Sequence, residues 1–264
     1  MAMRSAGSLV LSLALLLQGC AGLIPGRGAI PEPAVKAPTP GPAPSGGTFA
    51  IERGRPGLVI AAPHGTSDSA TDLIGAELAR LTGWGAVVAR GFSHLDSGGR
   101  RLNVNRPTES VPGEAPQLET RTPAAQEVYE AYRAHVAAAS QGPLRFYVEV
   151  HGNGRQESAG RIEIATVGLN RDEAWRLKVL LELVRDVHVR GREGLPRFEV
   201  LVEPLDRLHY TASATKEQGV LKTAERALHI ELPRAARITY REAYTVLLAD
   251  FLTQAGRLFV PPGR

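Results

Sequence analysis

Short unbroken apolar runs alternate along the chain with longer stretches in which apolar residues recur every third or fourth position, a pattern that predicts strands and helices in turn. Phe49–Ile51 reads as a short edge strand, and Leu58–Ala62 as a buried strand reached through the turn Arg53–Gly57. Thr71–Thr82 carries Leu73, Ile74, Ala76, Leu78, Ala79 and Leu81 at helical spacing and ends at Gly83. Gly85–Ala89 is a second buried strand, so strand, helix and strand suggest a parallel crossover. Ala124–Ala139 predicts a helix with Val128, Tyr129, Tyr132 and Val136 on its apolar face, followed by a strand over Leu144–Val150 and another over Arg161–Val167. Asp172–Val189 predicts a helix buried through Leu177, Val179, Leu180, Leu183 and Val184. Strands over Phe198–Val202 and Ala227–Pro233 and a closing helix over Arg241–Leu258 complete the series. Repeated alternation of this kind, with no internal repeat, predicts one α/β domain over 48–264 with helices on both faces of a central sheet.

The first 47 residues follow a different pattern. Arg4 precedes an apolar run from Leu9 to Leu17 that is too short to span a bilayer and has the order of a secretory signal. Leu17-Gln18-Gly19-Cys20 resembles a bacterial lipobox, which would make 1–19 a lipoprotein signal peptide and Cys20 the lipidated amino terminus. The expected location is the cell envelope, lipid-anchored to a membrane; Ala21 resembles outer-membrane retention, facing the periplasm, in a cell with two membranes. Residues 20–47 are rich in Pro, Gly and Ala, bury too little apolar surface to fold, and read as a disordered tether.

Composition narrows the function classes. In 264 residues, 43% of them hydrophobic, there is material for a full core. The formal charge of +4 becomes +3 without Arg4, and the basic residues form no dense block interleaved with aromatics, so nucleic acid is not an expected partner. Cys20 is the single cysteine, which excludes an intrachain disulfide and leaves no Cys-x-x-Cys spacing for zinc or redox work. There is no Gly-x-Ser-x-Gly elbow, P-loop or dinucleotide fingerprint.

The candidate chemistry lies at strand ends. Pro63-His64-Gly65 closes one apolar run and His151-Gly152 closes another, which puts two imidazoles at the carboxyl edge of a sheet, where α/β proteins hold their ligands. His64, Asp68 and His151 form the type of ligand set used by catalytic zinc, three protein donors with a position left for water. Asp68 can alternatively cap the following helix, as can Ser67, Ser69 or Thr71. Glu231 lies inside the apolar run Leu228–Leu232, where a carboxylate is costly unless paired or used, and is the candidate general base; a structural pair with Arg234 or Arg237 is the alternative. Asn105-Arg106 offers a planar fork suited to a carboxylate, with a turn and a surface charge as the alternative. His94, His135, His188, His209 and His229 receive no role, and His229 is expected on the side of Glu231 only where its strand bulges.

Pro63-His64-Gly65, Asn105-Arg106-Pro107, Glu149-Val150-His151-Gly152 and Ile230-Glu231 occur in the order found in N-formylglutamate amidohydrolases, and the stretch from Leu58 to Arg234 resembles that family and, more distantly, poly-γ-glutamate hydrolases and zinc carboxypeptidases. The resemblance implies a mixed, mostly parallel sheet of the eight-stranded type in a three-layer αβα fold, one Zn2+, and hydrolysis of an amide in a small peptide or N-acyl amino acid bearing a free carboxylate. By position it implies His64 and His151 as ligands with Asp68 as the acidic one, Asn105 and Arg106 as the substrate clamp, and Glu231 as general base. In the carboxypeptidases the acidic ligand is a glutamate three residues after the first histidine. That position is Ser67 here, which keeps Asp72 open as a substitute and motivates a second reading, a non-catalytic carboxylate- or peptidoglycan-binding lipoprotein.

Overall fold

A computed structural model describes residues 46–92, 101–111, 114 and 118–260. The signal segment, Cys20 and nearly all of the tether lie outside the described residues. In chain order the elements are β1 (Thr48–Glu52), β2 (Arg55–Ala62), α1 (Thr71–Thr82), β3 (Trp84–Arg90), β4 (Glu109–Ser110), β5 (Glu119–Thr120) and α2 (Pro123–Ser140). They continue with β6 (Phe146–Gly152), β7 (Arg161–Val167), α3 (Arg171–Val189), β8 (Glu199–Val202), α4 (Ser213–Gln218), β9 (Arg226–Leu232), α5 (Arg234–Arg237) and α6 (Arg241–Phe259).

Among the described residues, seven strands form the main sheet in the order β1-β3-β2-β6-β9-β7-β8, one fewer than the eight-stranded type, and β4 and β5 pair separately. Neighbours are parallel except for β1 against β3 and β7 against β9. The central strands β2 and β3 are buried on both faces, which explains their unbroken apolar sequences. One core, built on Leu58, Ile60, Phe146, Val148 and Ile230, lies under α1, α3 and α6. The other, built on Val59, Ala61, Val87 and Tyr147, lies under α2. The fold is thus α/β, with a mixed and mostly parallel sheet between two helical layers.

Helix ends follow local chemistry. Thr122 accepts a hydrogen bond from the Ala125 amide, and Pro123 takes the first helical position of α2, where its missing N–H has no consequence. Asn170 and Glu173 form a reciprocal capping box on α3. On α3 the buried stripe is Leu177, Leu181 and Val184, and Leu183 faces solvent, because a single 3.6-residue repeat cannot turn 183 and 184 to the same side. Among the described residues, no helix is long and apolar enough to cross a membrane.

Candidate metal centre

Strands β2, β6 and β9 are parallel neighbours and therefore end at one edge of the sheet. His64 follows β2 by two residues, and His151 and Glu231 are register partners one residue before the ends of β6 and β9. His151 thus lies within its strand, whereas the apolar run alone had placed the strand end at Val150. Both glycines after the histidines allow close approaches. A Cβ on Gly65 would lie 2.6 Å from the Ala89 carbonyl oxygen, the acceptor of the Gly65 amide, and one on Gly152 would lie 2.3 Å from the Arg237 guanidinium.

Asp68 is the acid at this edge. Its Oδ2 lies 3.5 Å from His64 Nδ1 and 3.3 Å from His151 Nδ1, and it accepts a hydrogen bond from the Gly152 amide. It does not cap α1: the residue before the helix is Ala70, which provides no side-chain cap. Asp72 accepts from Arg90 at 2.8 Å and is engaged there. Burial opposes the charge on Asp68, yet contacts with His151 and His64 outweigh it and hold the carboxyl far below its ordinary range. Burial also lowers the pKa of His64, against the pull of Asp68. For His151, Asp68 and Glu149 overcome burial and push the pKa up to about 10.

One donor atom from each of His64, Asp68 and His151 lies within 4.8 Å of the others, so these side chains could hold a metal ion. Two imidazoles and a carboxylate are donors of the kind that hold metal ions in proteins. The buried His64 Nε2 has no hydrogen-bond partner among the described residues, as fits a ring placed for something other than protein contacts. Glu149, His151 and His229 also meet the distance criterion, but Glu149 is fully buried and its oxygens are already taken by Tyr147, Asn105, His151 and His229. The first group is therefore the candidate site, with Glu149 behind His151, the usual arrangement for orienting a ligating ring.

Above it is a cavity of about 450 Å3 lined by His64, Asp68, His151, His229 and Glu231, with Arg101, Arg106 and Tyr210 on its rim. Glu231 Oε1 lies 3.0 Å from His229 Nε2, and Oε2 is buried without a hydrogen-bond partner among the described residues. Arg106 reaches the cavity with its guanidinium engaged: Nε donates to Glu119 at 2.8 Å, Nη2 also donates to Glu119, and Nη1 approaches Asn105 and Thr215. Asn105 does not line the cavity. It is fully buried, and its amide donates to Glu149 at 2.9 Å, whereas Arg106, the next residue, lines the cavity. The Arg101 guanidinium makes no hydrogen bond or ion pair among the described residues.

Several site residues carried no role in the sequence reading. His229 is on the side of Glu231 without any bulge, since positions two apart share a face in a regular strand. Glu163 is buried on β7 and accepts from Ser158 and from the His209 and Tyr210 amides, which seats the loop carrying Tyr210. The available signal was polar residues two apart inside apolar strands: 149 and 151, 229 and 231.

No protein-family model and no curated protein matches the chain. Among solved structures it is similar to a bacteriophage poly-γ-glutamate hydrolase, with 11% identity over 83% of this chain and 90% of that one and a TM-score of 0.45. It is also similar to a gene product from Agrobacterium tumefaciens, with 12% identity over 78% and 92% and a TM-score of 0.48. A metallo-carboxypeptidase from Burkholderia cenocepacia shows 14% identity over 76% and 57%, with a TM-score of 0.40.

Proposed function

We propose that the protein is a zinc-dependent amidohydrolase or peptidase acting on an amide in a substrate with a free carboxylate. The observation that carries this reading is the convergence of His64, Asp68 and His151 at one sheet edge, on the wall of a cavity that Glu231 also lines. Zinc held by such a set polarises a carbonyl and lowers the pKa of water to about 7. Glu231, which lines the cavity and whose Oε2 has no hydrogen-bond partner among the described residues, takes a proton from the attacking water and returns it to the leaving amine. Arg101 and Arg106 on the rim hold the substrate carboxylate, and Arg101 is the cation that no described acid neutralises. In this reading Asn105 acts from below, through Glu149 and Arg106. Cys20 lipidation would tether the domain through the segment 20–47 to the cell envelope, where peptidoglycan-type peptides, γ-glutamyl peptides and N-acyl amino acids supply suitable amides.

Elemental analysis of the purified protein beside His64→Ala, Asp68→Ala and His151→Ala tests the site. About one zinc per wild-type chain is expected from a three-donor site, with little in the variants. Against a panel of N-acyl amino acids and γ-glutamyl peptides, Glu231→Gln should lose roughly 10²–10⁴-fold in kcat while keeping its zinc. Arg101→Ala should raise KM about tenfold or more and leave kcat nearly unchanged. A wild type that takes up no zinc but binds carboxylate-bearing peptides would favour the non-catalytic binding reading.

A further inference from the structure

The imidazole of His229 lies between two buried carboxylates. Its Nδ1 is 3.3 Å from Glu149 Oε2 and its Nε2 is 3.0 Å from Glu231 Oε1. The ring stacks on His151, with centroids 4.0 Å apart and planes 28° apart, so it cannot swing toward β6. Glu149 is itself anchored from the opposite side. Tyr147 Oη donates to its Oε1 at 2.9 Å, the Tyr132 and Tyr147 hydroxyls are 2.7 Å apart, and Asn105 donates to Oε2 at 2.9 Å. The result is an unbroken file from the α2 layer to the cavity: Tyr132, Tyr147, Glu149, His229, Glu231.

A file of buried polar groups is an expensive way to fill space, since apolar residues of similar volume would commonly serve stability as well or better. Its end is also asymmetric. Glu231 Oε1 is tied to His229, and Oε2, although buried, has no hydrogen-bond partner among the described residues. Register sets the arrangement, because His229 faces Glu149 and Glu231 faces His151 across β6 and β9. One ring therefore refers the carboxylate of Glu231 to the same Glu149 that orients His151.

We propose that His229 is a positioning residue that holds Glu231 by Oε1, so that Oε2 is presented to the cavity in a set relation to the His64, Asp68 and His151 site. The inference rests on the amidohydrolase reading above and adds to it a residue that acts through Glu231. Misplacing a catalytic group by about 1 Å can cost on the order of 100-fold in rate, so a residue with this task has a measurable effect.

The test uses His229→Phe, which keeps a ring against His151 and removes both nitrogens, together with His229→Gln, which restores one amide donor. Zinc affinity is measured by chelator competition, and kinetics on the substrate that the wild type cleaves fastest in the panel. The expected result for His229→Phe is zinc affinity and KM within about threefold of wild type and kcat lower by about 10- to 100-fold, with partial recovery in His229→Gln. Adding His229→Phe to Glu231→Gln should cause little further loss, because the positioned group is already absent. A crystal structure of zinc-loaded His229→Phe, independent of turnover, should show the Glu231 carboxylate displaced. Wild-type kcat in His229→Phe, a fully additive double variant, or a Glu231 carboxylate left in place would overturn the inference and leave the amidohydrolase reading standing. A wild type without zinc or turnover overturns that earlier reading, and the inference with it. If His229→Phe does not fold, His229→Leu, which likewise removes both nitrogens, decides by the same kcat and KM comparison.

Discussion

Ala70 marks what the loop bearing His64 and Asp68 demands of single residues. The chain from His64 to Thr71 must return Asp68 to the histidines and then enter α1, and it does so with Ala70 in the left-handed region, at φ 67° and ψ 3°. A side chain in that region costs about 1–2 kcal/mol, whereas the added chain entropy of a glycine costs roughly 0.5–1 kcal/mol, so relief of strain wins narrowly. Ala70→Gly should therefore raise stability by about 0.5–1 kcal/mol in urea unfolding at unchanged m. A loss of stability would mean that the loop relies on a restricted backbone there. The same loop explains why Asp68 faces the cavity: the Thr71 amide donates its turn hydrogen bond to the Asp68 carbonyl oxygen, and the carboxylate faces the rings.

At the scale of elements, the strand ends are held together by Arg237 of α5. Its Nε donates to the Leu232 carbonyl and its Nη2 to the Asn153 carbonyl, each at 3.1 Å, and Nη1 donates to the Ser69 carbonyl. One buried guanidinium thus ties the loops after β2 and β6 to the end of β9, the three strands that bear the candidate site. Lysine cannot supply that planar fork from a single ammonium. Arg237→Lys should keep the fold, lower the Tm, and weaken zinc binding by about tenfold, in the range seen for residues that orient metal ligands. Chelator competition beside a thermal scan measures both, and unchanged zinc affinity would show that the strand ends hold their spacing without it. The helices were legible from their periodicity to within a residue or two at each end, because caps such as Thr122 and Asn170 are local. The short pieces β4, β5, α4 and α5 were not, since each depends on partners distant in sequence.

Across the whole molecule, acid stability follows from carboxylates held below their ordinary values. Burial opposes the charge on Glu119, but Arg106 outweighs it; Glu173 is lowered by the Asn170 amide and Arg226; Asp186 is brought to about 2 by Arg197 and Arg185. Each binds a proton less readily folded than unfolded, so its stabilisation is present above the unfolded value, 4.5 for glutamate and 3.8 for aspartate, and fades as pH falls through the folded one. The Tm should therefore decline steadily from about pH 4.5 toward pH 2. A Tm that stays level across that range would contradict these directions. Glu119 makes the decline relevant to the site, because its protonation releases the guanidinium of Arg106 at the cavity rim.

The sequence by itself determined the alternation of strands and helices and the placing of His64 and His151 at strand ends, because period, caps and glycine punctuation act over a few residues. It also held the placing of His229 beside Glu231, which plain alternation requires. Tertiary structure alone decided the rest. Bringing Asp68 rather than Asp72 against the two histidines goes with Arg90, eighteen residues beyond Asp72, pairing with the latter. Engaging Arg106 needed Glu119 on the partner strand of a small hairpin, and turning Asn105 inward needed Glu149 beneath it. The file from Tyr132 to Glu231 joins α2, β6 and β9, whose residues meet only once the sheet has formed. Contacts between residues far apart along the chain leave no local pattern, and the register of β6 against β9 is what brings these side chains together.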